Sequence, residues 1–292
     1  MRVSSVLRRL RRALVLAYNE NCFSIAKGAA YSALLALFPV LTTLATVLVR
    51  VQAESVSAEL SKILARVVPP GTEGLVLYGF AERGDRPAFL LVLAGVVTVW
   101  GASGVMLSLM EGFNRIYQVS GRPFLRQRLM AAWLVVTSTL PLVAASAMIL
   151  FGSRTERALV RWIGVMPMGD QMSLGVLLAG KLARYGIAVL SIMLVCALLF
   201  HLGPNRRMRW RAAWPGAILA TALWLPTTYL FGGYVRNIAD YNVLYGSLGA
   251  VIALLVWMYV LAVIALFGCA FNAEWEKSQT RRRKSGEAAP SV

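Results

Sequence analysis

Few side chains in this sequence could do chemistry, and their spacing argues against most of it. The chain holds one histidine, His201, thirteen Asp and Glu residues, and three cysteines, Cys22, Cys196 and Cys269. Metal-assisted hydrolysis draws on clustered His and carboxylate ligands. Here the acidic residues are scattered mostly between apolar runs, and His201 stands alone at the end of one. A single His in that position reads as an interfacial residue rather than a ligand. Without His201 no Ser-His-Asp set can be assembled, and neither a glycine-rich phosphate loop nor a dinucleotide fingerprint occurs. The cysteines are widely separated, two of them inside apolar runs, so neither a disulfide framework nor a metal site follows. The expectation is a chain that is not an enzyme, with no catalytic residue, metal or cofactor.

What remains is polar groups inside apolar runs. In the first run Gly28, Ser32, Pro39, Thr43 and Thr46 fall on one helical stripe; in the second, Trp100, Ser103, Glu111, Asn114 and Gln118 lie within about one quarter of the circumference. Pro39, Pro141 and Pro226 sit well inside three runs. Each removes a backbone donor and leaves a carbonyl that hydroxyls, neighbours or water must satisfy. Broken helices with inward polar stripes suit a transporter or permease. On this reading Tyr31, Ser32, Pro39, Ser103 and Asn114 line a solute path between the first, second and last spans. The alternative is a structural or envelope-interaction protein acting through its outer loops, and the sequence names no solute.

The elements that position these groups follow from hydropathy. The 292 residues are 58% hydrophobic and 15% charged, with a mean hydropathy of +0.65, which describes a multi-span membrane protein. The fold class expected is an all-α polytopic membrane bundle of about six transmembrane helices. The spans fall at about 28–50, 88–110, 129–151, 183–202, 212–235 and 246–271. Lys181 and Arg184 intrude at the start of the fourth and must snorkel. In the outer segment 51–87, Val56, Leu60, Ile63, Leu64 and Val67 recur at helical spacing before Pro69-Pro70, the pattern of an amphipathic helix. Residues 3–18 set Val3, Val6, Leu7, Leu10 and Leu14 against Arg8, Arg9, Arg11 and Arg12, predicting an interfacial helix on the membrane. Residues 1–275 thus form one membrane domain, followed by a basic, disordered tail over 276–292.

Charge orients the bundle. Nineteen Lys and Arg lie in the N-terminal segment, 111–128, 203–211 and the tail, against nine in the alternate segments. That asymmetry places both termini in the cytoplasm. The formal charge of +17 is read as topology and contact with anionic lipid headgroups at the cytoplasmic face, not as nucleic-acid binding. A homo-oligomer remains compatible with all of this.

The last run has no charged residue from Gly246 to Phe271. Its Gly246, Ala250, Ala253 and Trp257 form one stripe of mostly small residues, on which a neighbouring helix can come close. "EGFNRIY" in the second run and "CAFNAEW" in the last each place Phe-Asn some 14 or 15 residues after a Trp. Asn114 and Asn272 are therefore expected to cap or cross-bridge the inner ends of a close helix pair.

"AAYSALLALFPVL", "VWGASGVMLSLMEGFNRIYQV" and "YGSLGAVIALLVWMYVLAVIALFGCAFNAEWE", in that order, resemble the YihY/BrkB family of bacterial inner-membrane proteins nearly end to end. The last is the most specific, with Tyr245, Gly246, Ser247, Leu248, Gly249, Trp257, Tyr259, Gly268 and Asn272 in the family's places. The resemblance implies a polytopic inner-membrane protein. Some members are linked to virulence and serum resistance, and others were once labelled tRNA-processing ribonucleases. Relatives often carry Glu where this chain has Ala270.

Overall fold

The structure, a computed structural model, describes residues 3–50, 88–162, 174–238 and 242–287. Among them are seven helices and no strand: α1 (Val3–Asn19), α2 (Cys22–Arg50), α3 (Ala88–Ile116), α4 (Phe124–Trp162), α5 (Leu174–Leu202), α6 (Trp210–Ile238) and α7 (Asn242–Glu287). The chain is an all-α membrane bundle, and each of the six apolar runs lies on one of helices α2 to α7. The outer segment 51–87, with its expected amphipathic helix, lies outside the described residues.

Five helices among the described residues are long and apolar enough to cross a membrane: Cys22–Leu41, Val92–Ile116, Phe124–Ala145, Leu182–Leu202 and Val251–Thr280. The sixth expected span, 212–235, forms the 29-residue α6 but falls outside that set. Pro215, Pro226, Thr221, Thr227, Thr228 and three glycines dilute its apolar content. At the C-terminus, α7 runs on to Glu287, whereas a disordered tail was expected from residue 276. Arg, Lys and Glu are good helix formers, and no Gly or Pro interrupts α7 between Gly268 and Gly286.

Packing closes the helices into a ring. α2 packs on α3, α3 on α4, α4 on α5, α5 on α6, α6 on α7, and α7 returns to α2. Contact between α3 and α7 divides the ring into a three-helix side and a five-helix side, while α1 lies across α7 and touches α2. One end carries the termini of α1 and α7 and the 117–123 and 203–209 connections; we call it the basic end. Full burial concentrates there. Phe113, Phe200, Met110, Ile116, Leu266, Asn272, Pro204 and Cys269 are among the largest side chains that are essentially inaccessible. Lipid is the complementary solvent, since Phe89, Val92, Val96, Leu140, Leu190 and Leu230 are exposed on the helix exteriors, as spanning helices require.

The α2–α3 seam accounts for much of the polar stripe. Thr98 Oγ1 donates to the Pro39 carbonyl at 2.8 Å and lies 2.6 Å from Thr43 Oγ1, which also reaches the Ala94 carbonyl at 3.2 Å. A Cβ on Gly104 would stand 3.5 Å from Ser32, and one on Gly101 3.7 Å from Ala36 and Pro39. Small residues bring the two backbones together, and hydroxyls then bridge them.

Candidate functional site

The densest polar construction in the described residues is the α5–α6 junction at the basic end. Pro215 removes a donor from the early part of α6 and disturbs the ladder around it. Asn272 of α7 supplies the repair. Its Oδ1 accepts from the Gly216 N–H at 2.6 Å and its Nδ2 donates to the Ala213 carbonyl at 3.0 Å, with the side chain 1% exposed. This requires the helices nearly to touch. A Cβ on Gly216 would overlap the Gly268 carbonyl oxygen, and one on Gly268 would lie 2.9 Å from the Phe200 ring and 3.0 Å from the Gly216 carbonyl.

Asn114 makes a parallel connection from α3. Its Oδ1 accepts from the Asn205 N–H at 2.7 Å, while Asn205 Nδ2 donates to the Ser120 carbonyl at 2.9 Å. Arg122 completes the end of α5, donating from Nη1 to the Gly203 carbonyl at 2.8 Å and from Nη2 to those of Leu202 and Pro204 at 3.1 and 2.9 Å. A guanidinium fork on terminal helix carbonyls satisfies orphan acceptors and meets the negative end of the macrodipole. Burial pushes the Arg122 pKa below its ordinary value, though the cation is held by three carbonyls. Arg206 pairs with Glu276 at 2.7 Å and lies 4.5 Å over the Tyr117 ring. Tyr117 in turn donates its hydroxyl to Met208 Sδ at 3.4 Å. Burial, with Glu276 nearby, raises the Tyr117 pKa, so the phenol stays neutral.

Beneath this junction the five-helix side of the ring is filled. Phe113 of α3 meets Phe200 of α5 edge to face, centroids 5.7 Å apart; both are inaccessible, as is Leu266 of α7. A Cβ on Gly203 would fall 2.5 Å from the Leu199 carbonyl and 2.6 Å from the Phe113 ring, so the chain leaving α5 lies flat on this plug.

The sequence-selected residues are therefore dispersed. Asn114 and Asn272 both cap at the basic end, but not each other: Asn114 holds the 203–209 connection and Asn272 holds α6. Ser103 is 1% exposed and donates to its own helix at the Trp100 carbonyl, 2.6 Å. Ser32 and Pro39 lie in the α2–α3 seam, and Tyr31 faces outward, exposed. A cavity of about 200 Å³ is bounded by Leu14, Ala17, Cys22, Phe23, Val263 and Phe267 among others, and a groove of about 810 Å³ separates α1 from the end of α7; neither is lined by Tyr31, Ser32, Pro39, Ser103 or Asn114. In the α7 motif, Gly268 makes the close approach to α6, Ala253 is buried, and Trp257 stacks on Phe231 at 5.8 Å. The side chains of Gly246 and Ala250 lie outside the described set, and Gly249 is half-buried. Ala270 is inaccessible, so a carboxylate there would be buried in the bundle. Sequence reasoning missed Arg122, Asn205, Gly203 and Gly216. The Gly216 contact carried a faint signal in the "WPG" of residues 214–216; the others gave none. No group of three His, Cys, Asp or Glu that could hold a metal ion occurs among the described residues.

Comparison with known proteins places these features. The family model described as virulence factor BrkB matches residues 16–292. The ribonuclease-like protein YfkH of Bacillus subtilis is 27% identical over 84% of this chain and 86% of its own length. A UPF0761 membrane protein of Chromobacterium violaceum is 28% identical over 87% of this chain and 59% of its own length. Another, Smlt0865 of Stenotrophomonas maltophilia, is 28% identical over 87% and 58%. The chain thus spans under two thirds of these UPF0761 relatives. No solved structure matches.

Proposed function

This chain belongs to the virulence factor BrkB family, which includes the UPF0761 membrane proteins among its relatives, and from that premise we propose that it is a permease for a small solute. The observation that carries the reading is the closed helix ring whose five-helix side is stoppered near the basic end by Phe113, Phe200 and Leu266. The solute path runs through that five-helix side rather than along the α2–α3 seam, where Ser32, Pro39, Thr43 and Thr98 are spent on holding helices together. Asn114 remains at its inner mouth. α6 counts as a sixth span because it stands in the ring between two spanning helices. Both termini then lie on one side, and the positive-inside rule makes that side the cytoplasm of a bacterial inner membrane.

Hydrolysis is disfavoured by the chemistry of the junction, whose donors and acceptors are engaged with backbone groups instead of converging on an open point. YfkH carries a ribonuclease-like name, and nothing in this junction resembles a site for phosphodiester cleavage. The test is a ligand screen by thermal stability on detergent-purified protein. A solute at 100 times its Kd stabilises the folded state by about 2.7 kcal/mol. A reproducible, saturable shift for one solute class supports the permease. An envelope protein that co-purifies in stoichiometric amount, with no solute shift, supports a structural role in its place.

A further inference from the structure

We infer that the groove between α1 and the end of α7 is a binding site for a phosphate-bearing anion, the headgroup of an anionic phospholipid being its membrane source. The groove is lined by Arg8, Arg9, Arg11 and Arg12 of α1 and by Glu274 and Lys277 of α7, among others. Arg9, Arg11, Arg12 and Lys277 alone outnumber the one carboxylate there, and that carboxylate is already paired, Lys277 Nζ lying 3.2 Å from Glu274 Oε1. Surface charge alone would be a solvated face. Arg9 makes it more than that.

Arg9 is 8% exposed, and its guanidinium carbon stands over the Trp275 ring, 4.2 Å from the centroid. Its Nη1 is buried without a hydrogen-bond partner in the chain. Arg9 lines the groove while its guanidinium is held over one aromatic face, and a buried donor without an acceptor is unfavourable. A phosphate oxygen would satisfy it through a charge-assisted bond, with Arg12 or Lys277 meeting a second oxygen.

Two further features favour a lipid. On α1 the exposed Leu7, Leu14 and Tyr18 recur at i, i+7 and i+11, a stripe that suits the acyl boundary. Leu14 of this stripe, together with Ala17, also borders the apolar cavity of about 200 Å³, whose lining suits an acyl chain. Inorganic phosphate shares the headgroup's chemistry but would leave that cavity unused.

The full chain, purified in detergent, tests this by thermal stability against added phosphatidylglycerol, phosphatidylcholine and inorganic phosphate. Wild type should respond to phosphatidylglycerol at least tenfold more sensitively than to phosphatidylcholine. The exposed pair Arg11→Gln/Arg12→Gln, which leaves the Trp275 stack intact, should lose at least tenfold in apparent affinity. Arg9→Lys, which keeps charge but not the fork, should lose several-fold. Arg126→Gln/Arg207→Gln removes two exposed charges outside the groove and should behave as wild type. A response to inorganic phosphate that the groove variants abolish supports the anion site but assigns a soluble source. Equal losses in the groove and control variants, or no loss in either groove variant, would overturn the site.

Discussion

Replacing Gly216 by Ala tests the tightest helix crossing in the described residues. The new methyl would overlap the Gly268 carbonyl oxygen and stand 2.6 Å from Asn272 Cγ and Nδ2. The first obstacle is backbone, so no side-chain rotation relieves it, and α6 must retreat from α7 by roughly 1 Å to reach ordinary contact. Overpacking of this kind costs about 1–3 kcal/mol. The retreat also lengthens the bonds from Asn272 to Gly216 and Ala213, now 2.6 and 3.0 Å, each worth about 0.6–2 kcal/mol in a membrane. Against this, Ala in a helix gains roughly 0.5–1 kcal/mol over Gly. The net expectation is a loss of about 2–5 kcal/mol. Gly186→Ala is the matched control, because a Cβ there meets nothing within 4 Å; it should be neutral or stabilising by up to ~1 kcal/mol. Reversible denaturant titration in mixed micelles, followed by tryptophan fluorescence, measures both. Equal stabilities for the two variants would refute the crossing and the role given to Asn272.

Arg122→Lys exchanges a fork on three carbonyls for a point charge and should cost about 1–2 kcal/mol, discounted for partial exposure; the same titration reads it, and a neutral result would remove Arg122 as the cap of α5. Folding holds the Tyr117 phenol neutral by raising its pKa above the ordinary value of 10.0. Its contribution to stability is therefore complete below pH 10 and declines as pH rises beyond that. Thermal stability scanned from pH 8 to 11 should show a decline above pH 10 that is shallower in Tyr117→Phe; identical slopes would contradict it.

Hydropathy reveals the helices because a membrane accepts only chain whose backbone is internally bonded, so long uncharged runs must be helical. It misjudges their ends where lipid is not the deciding solvent. α7 continues past Asn272 because Trp275 and Glu276 have partners in Arg9 and Arg206, which a charge count takes for a tail. The inward polar stripe was legible as a stripe, but its use was not. Thr98 and Ser103 satisfy carbonyls, and a hydroxyl bonded to backbone looks in sequence just like one awaiting solute. The two Phe-Asn repeats singled out two asparagines that each hold a backbone group of another segment, yet those partners lie 91 and 56 residues away. Those partners are backbone groups, which nearly every residue type possesses. For the same reason nothing in the identity of Arg122 announces its three carbonyl acceptors.

The permease reading is tested most directly at the plug. Phe113 and Phe200 are both inaccessible and in edge-to-face contact, and truncating one to Ala removes much of the stopper while costing about 3–5 kcal/mol. Phe113→Ala and Phe200→Ala, reconstituted from the monodisperse folded fraction, are to be compared with wild type by liposome swelling in small neutral and charged solutes. Trp133→Ala, on an exposed surface of α4, is the control. If a path runs through the five-helix side, the plug variants leak small solutes while wild type and the control stay sealed. Folded plug variants as tight as wild type would contradict the path and leave the bundle as a packed membrane scaffold.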